Sequence, residues 1–457
     1  MKASSRVAQT GSLSFRNYVF QLPWFFWLIS FGLMTAALVH KVTLSPDSGT
    51  YLGMSLVRSA LYPLFLRACF LFFPEDTLRP VLFLQMLLAV GAALFLTWAL
   101  HSSFAFKKQR LVEFLMFLLF LSPNLDVCQP FWRDILSESL AYPLWLVAAG
   151  DLILFLKKGS VRACKHFFVL TALLVLTRRQ FLFLYPVILL LLLGLFTFLK
   201  PLVEKKHRWP LVLWAVFSIV GADLAERGYH LAVHGAFRHV PFVGQQAIIA
   251  PTLFIGPQGA NCLEDPTEKA IYSEICDHLP KTGKSLQKFW SCIEYSGSYL
   301  PWNGYAMSAA SHHIEKGTSL ERYYKADATL FHITIQLVLH YPVAFARYLN
   351  RMFLLSYFVP ERYGFGGILF LFAAFLCLCV HLYRTVSFRE RVLLGGGALL
   401  FCSNVLATAL VEPLLARYTL YTDVFLGAVV TALVLARKPT EAISAIDPSL
   451  KISYKES

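Results

Sequence analysis

The chain has 457 residues, of which 57% are hydrophobic and 15% charged, and its mean hydropathy is +0.58. This composition excludes a soluble globular protein and points to an all-α polytopic membrane protein. The formal charge of +14 does not imply nucleic acid: the basic residues gather in short loops, as the positive-inside rule requires, with no stripe interleaved with exposed aromatics.

The first apolar span, 18–39, is about 20 residues long, enough to cross a bilayer. It is too long for a signal-peptide core and no small-residue cleavage site follows it, so it reads as a retained signal anchor. Further spans are predicted at 79–100, 111–122, 135–156, 166–177, 180–199, 209–226, 365–383, 391–411 and 413–436, a bundle of about ten transmembrane helices. Alternation from a cytoplasmic N-terminus places every basic cluster on the cytoplasmic side. These are Lys107 to Arg110, Lys157 to Lys165, Lys200 to Arg208, Arg384 to Arg391, and Arg437 with Lys438. The assignment takes 329–360 as amphipathic helix along the outer surface. A crossing there would invert the C-terminal half. The chain thus divides into a transmembrane module (1–226), an extracytoplasmic segment with surface helices (227–360), C-terminal membrane helices (361–436) and a cytoplasmic tail (437–457).

The stretch 227–328 is the hydrophilic part, and at about 100 residues it is too long for a plain connection, so it predicts a small folded domain. It carries Cys262, Cys276 and Cys292, of which two can pair in an oxidising compartment and one is left over. Cys377 and Cys379 fall in an apolar span and read as small hydrophobes. Thr282-Gly283-Lys284-Ser285 imitates the end of a phosphate loop, but His278 stands where its earlier glycine belongs. His312 and His313 are adjacent and do not share a helix face, and no ligand cluster indicates a metal. No internal repeat is visible, which counts against a transporter built from inverted repeats.

The outward loops hold the chemistry. The first has Asp47, Tyr51, Arg58 and Tyr62, and the second has Asp126, Arg133, Asp134 and then Glu138 at the head of the next helix. The short fifth span ends in Arg178-Arg179; further on come His340-Tyr341-Pro342, Glu412 and Arg417-Tyr418. Two adjacent arginines do not sit in hydrocarbon, so Arg178 and Arg179 either snorkel to a headgroup layer or line an aqueous pocket. In a pocket they suit phosphate, because guanidinium makes paired hydrogen bonds to its oxygens. Carboxylates and arginines converging on an apolar base suit an anionic lipid and a polar reactant.

Asp47 with Tyr51, Arg58-x-x-Leu61-Tyr62-Pro63-Leu64, Ser137-Glu138, Thr177-Arg178, His340-x-Pro342 and Arg417-Tyr418 together resemble the GT-C class of polytopic glycosyltransferases. That class uses polyisoprenyl-phosphate sugars and includes protein O-mannosyltransferases and the lipid A aminoarabinose transferase. Two features depart from the class: the Asp-Glu pair of some members is here Asp47-Ser48, and the outer domain is small. The resemblance implies a GT-C-like bundle and inverting transfer of a sugar from a polyprenyl-phosphate donor to a glycan, lipid or protein acceptor. It implies Asp47 as general base and Arg178 or Arg179, with Arg58 or Arg417, on the lipid phosphate. Tyr51, Tyr62, Arg133, Glu138 and His340 would bind or orient substrate, and no further cofactor is implied. The expected setting is a bacterial inner membrane in preference to endoplasmic reticulum. A transporter or lipid flippase is the alternative and would need charged residues along a mid-membrane path. In a non-catalytic assembly factor the same charges would be anchors.

Overall fold

The computed structural model describes residues 14–42, 44–45, 47–73, 78–104, 106, 109–125, 135–278, 304–314, 317–357, 387–411 and 416–435. Their regular structure is helical. The predicted span 365–383 and residues Asp126, Arg133, Asp134, Cys292 and Glu412 lie outside the described residues, as do Cys377 and Cys379.

The first predicted span is two helices, α1 (Phe15–Phe20) and α2 (Trp24–Val39), because Pro23 lacks the amide needed to continue the first into the second. Two short helices follow, α3 (Ser48–Leu52) and α4 (Leu61–Phe70). Next come α5 (Arg79–Ser103), α6 (Gln109–Leu125), α7 (Glu138–Lys158) and α8 (Val161–Thr177). Gly159 and Ser160 separate α7 from α8. Gly159 closes the first helix at a φ of 71°, and the Ser160 hydroxyl accepts from the Ala163 amide to open the second. After a 3₁₀ turn at Arg179–Phe183 come α9 (Leu184–Phe196) and α10 (Lys205–His234). At 30 residues, α10 is about 45 Å long, more than a hydrocarbon core requires. It runs two turns past the expected end at 226, so the hydrophilic part starts after Gly235 instead.

Beyond α10 lie α11 (Val243–Ala247), α12 (Ile249–Ile255), α13 (Pro266–His278), α14 (304–313), α15 (Ser319–His340) and α16 (Pro342–Tyr357). The last two, α17 (Phe388–Val411) and α18 (Ala416–Leu435), return to the bundle. Among the described residues five helices are long and apolar enough to cross a membrane, and α15 with α16 forms a further apolar pair bent by 100°. The bend falls at Tyr341, just before Pro342, where the α15 ladder cannot continue.

α7 is the axis of the bundle. Its side chains are buried on nearly every face, and the Trp145 indole donates to the Tyr421 carbonyl of α18 at 2.6 Å. Lys157 at its end pairs with Glu390 at 2.8 Å, and Arg389 donates to the Lys157 carbonyl. These contacts bring the basic end of α7 and the basic head of α17 together at one end of the bundle. The heads of α7, α9 and α18, and the tail of α10, therefore lie at the other.

A second core, built from Ile248, Ile249, Ile271, Tyr272, Leu330, Ile333 and Leu337, packs α12 and α13 on α15. Among the described residues of this unit Cys262 and Cys276 are not joined in a disulfide. Here α11 sits directly on the α15 backbone: the Asp327 carboxylate accepts from the Gln245 amide at 2.9 Å, and a Cβ on Gly244 would overlap the Asp327 carbonyl. Gly244→Ala must push α11 off α15. We expect a loss of roughly 3 kcal/mol and faster proteolysis between α10 and α11, measured in detergent. A variant melting and cleaving like the parent would show that the approach is looser than drawn.

Candidate functional site

A cavity of about 500 Å³ opens where the bundle end away from the basic loops meets the second unit. Its floor comes from the bundle: Arg58 from the loop before α4, Arg178 and Arg179 between α8 and α9, and Thr408 from α17. Its wall is apolar, with Phe331, Ile335, Val338 and Leu339 along α15. The floor is thus cationic and the wall apolar, the pairing that suits an anionic group and a hydrocarbon chain.

Arg58 is held on every nitrogen. Nε donates to the Thr50 hydroxyl at 2.7 Å, Nη1 to the Tyr51 hydroxyl at 3.2 Å and Nη2 to Asp47 Oδ1 at 2.6 Å. Its plane lies over the Tyr51 ring, 4.4 Å from the centroid. The Tyr51 hydroxyl also shares a 2.9 Å hydrogen bond with Ser137, and the Ser137 hydroxyl donates to Glu138 Oε2. Glu138 pairs in turn with Arg178 at 2.5 Å. A single polar chain therefore runs Asp47–Arg58–Tyr51–Ser137–Glu138–Arg178 across the floor. Burial pushes the Tyr51 phenol above its ordinary range, with Arg58 pulling the other way, so the hydroxyl stays protonated at neutral pH.

Arg179 differs. Among the described residues its guanidinium makes no ion pair, and its Nε is buried without a hydrogen bond. Its charge is felt by His239, which burial and then Arg179 hold below the usual imidazole range. Among the described residues the floor thus sets three guanidinium groups against the two carboxylates Asp47 and Glu138. The excess positive charge sits on Arg179.

The predicted residues fall into three groups. Tyr51, Arg58, Arg178 and Arg179 line the cavity, and Glu138 and Asp47 reach it through their arginine partners. Tyr62 is fully buried below, edge-on to Tyr51 at 5.1 Å, its hydroxyl accepting from Gln85 at 2.7 Å. His340, at the exposed C-terminal end of α15, stacks edge-on against Tyr341 and does not line the cavity. Arg417 lies in the first turn of α18, and Arg133 lies outside the described residues.

Sequence reasoning did not single out Gln180, Asn404, Thr408 and Thr422. The Gln180 amide donates to Asn404 Oδ1 at 3.2 Å, Asn404 donates to Thr422 at 3.1 Å, and Gln180 and Thr408 line the cavity. The available signal was Asn404 and Thr408, one turn apart in an apolar helix, where an amide is stable only when it is hydrogen-bonded. No protein-family model, curated protein or solved structure matches this chain.

Proposed function

We propose that the chain is a membrane glycosyltransferase of the GT-C type that moves a sugar from a polyprenyl-phosphate carrier to an acceptor. The observation that carries this reading is the amphiphilic cavity, with arginines at its base and the apolar face of α15 along its side. A lipid phosphate has that same division of charge and hydrocarbon. The reading includes the shorter apolar helices among about ten membrane spans and takes the second unit as an extracytoplasmic domain.

In this mechanism the donor phosphate lies on Arg179 and Arg178, and the isoprenyl chain lies against Phe331, Ile335 and Leu339. The acceptor hydroxyl gives its proton to the Asp47 carboxylate as its oxygen attacks the anomeric carbon from the face opposite the phosphate. The bond from that carbon to the phosphate oxygen breaks, and its electron pair leaves on the phosphate, where the arginines stabilise it. Direct displacement inverts the anomeric centre. Only Asp47 Oδ1 is engaged by Arg58, and no described residue hydrogen-bonds to Oδ2, which suits Oδ2 to the acceptor hydroxyl.

The test is transfer of radiolabelled sugar from a polyprenyl-phosphate donor by the purified chain in proteoliposomes, with solute flux measured in the same vesicles. Transfer without flux is the expected result; flux without transfer would move the assignment to a transporter. Arg179→Ala should raise the KM for the donor by roughly 10- to 100-fold, the worth of charge-assisted hydrogen bonds to one phosphate. An unchanged KM would remove Arg179 from the phosphate site.

A further inference from the structure

Glu226 and His230, one turn apart near the outer end of α10, are 1% and 0% exposed. Glu226 Oε2 accepts from the Ala60 amide at 3.1 Å, across 166 positions of sequence. Ala60 is the N-cap residue of α4, which has no side-chain cap of its own. The carboxylate therefore serves a free amide at the positive end of that helix. Ala60 is also two residues from Arg58 and next to Ser59, both in the cavity lining.

The rest of the carboxylate is enclosed. Among the described residues Glu226 Oε1 has no hydrogen bond; His230 Nε2 is 3.6 Å away, and neither ring nitrogen of His230 has a hydrogen-bond partner. His234 stacks on His230 with ring centroids 5.3 Å apart, and Tyr229 stands edge-on to it at 5.1 Å. Burying a carboxyl group for one amide bond is poor economy for stability alone, since an apolar side chain would pack there without desolvation. An amide-to-carboxylate bond does something an apolar contact cannot: it fixes the position of one particular backbone group.

We infer that Glu226 is a positioning residue for the cavity. It holds the segment 57–60 so that Arg58 and Ser59 face the bound headgroup, and it does so from a helix that contributes no side chain to the lining. The inference rests on the reading of the cavity as a lipid-phosphate site.

The test is native mass spectrometry of the full chain in detergent, titrated with sugar-free decaprenyl phosphate. Glu226→Leu should weaken binding by the folded fraction about tenfold. Glu226→Gln, whose carbonyl can still accept from Ala60, should stay within about twofold. Ala60→Pro removes the donor while suiting the −65° φ at that position, and should match Glu226→Leu. A merely structural residue would lower the yield of folded protein and leave the affinity of what remains unchanged. Parental affinity in folded Glu226→Leu or Ala60→Pro protein would overturn the inference. A parent chain that does not bind decaprenyl phosphate would overturn the lipid-phosphate reading, and the inference with it.

Discussion

If the chain transfers sugar as proposed, replacing Asp47 with Asn is expected to lower that transfer by roughly 10²- to 10⁴-fold, the usual contribution of a positioned general base, while the protein stays folded in the membrane. The two halves of this expectation separate a base from an anchor. The Asp47 side chain is 49% exposed and its bond is to Arg58. A half-exposed ion pair contributes about 1 kcal/mol at most after solvent screening, and the Asn oxygen can still accept from Arg58. Arg58 also keeps Thr50 and Tyr51 as partners. Thermal stability in detergent should therefore change little as turnover collapses. Transfer at the parental rate would mean that Asp47 only anchors Arg58 and that the base lies elsewhere.

The second large effect concerns Glu138 and Arg178. Their side chains are 4% and 14% exposed and their charged atoms meet at 2.5 Å. Removing either one leaves a largely buried charge without its partner. Glu138→Ala and Arg178→Ala should each lower stability by roughly 3–5 kcal/mol. The double variant removes both charges, so its loss should fall short of the sum by roughly 2 kcal/mol. A double-mutant cycle from denaturation in mixed micelles measures this coupling. Strict additivity would show that the two groups do not act as a unit. Glu138 would then hold the Ser137–Tyr51 side of the floor independently of Arg178.

The two effects differ because the floor is graded in exposure. At its Asp47 end the chain of polar contacts meets solvent, where a charge is inexpensive to alter and free to react. At its Glu138 end it is enclosed, where the same type of pair holds the fold. Arg179 stands apart from both ends, its charge unneutralised by any described carboxylate, and this makes it the better candidate for holding an anion.

Much of the fold was legible from hydropathy. The long apolar runs are helices, but the expected start at 166 missed Gly159-Ser160, where one positive φ and one hydroxyl cap end α7 and start α8. Two further boundaries were misplaced for physical reasons. Pro23 interrupts an apolar run that hydropathy alone treats as continuous, because hydropathy does not register a missing amide. α10 continues past 226 although Glu226, Arg227 and His230 make that stretch look soluble. Both Glu226 and His230 are buried, Glu226 against the Ala60 amide at the head of α4, so their polarity says nothing about where the helix ends.

The amino-acid sequence by itself determined the class of the molecule, the approximate position of most helices and the residue types of the floor. Those follow from local properties: transfer free energy along a run, the conformational limits of Pro and Gly, and the aversion of adjacent arginines to hydrocarbon. Only the tertiary structure decided which arginine keeps an unneutralised charge, that Tyr62 lies beneath the floor and outside the lining, and that α15 walls the cavity. It alone joined Glu226 to the loop of Arg58. Each of these depends on which distant side chains end up within about 3 Å of each other, the reach of a hydrogen bond. Composition and periodicity carry no record of such pairings.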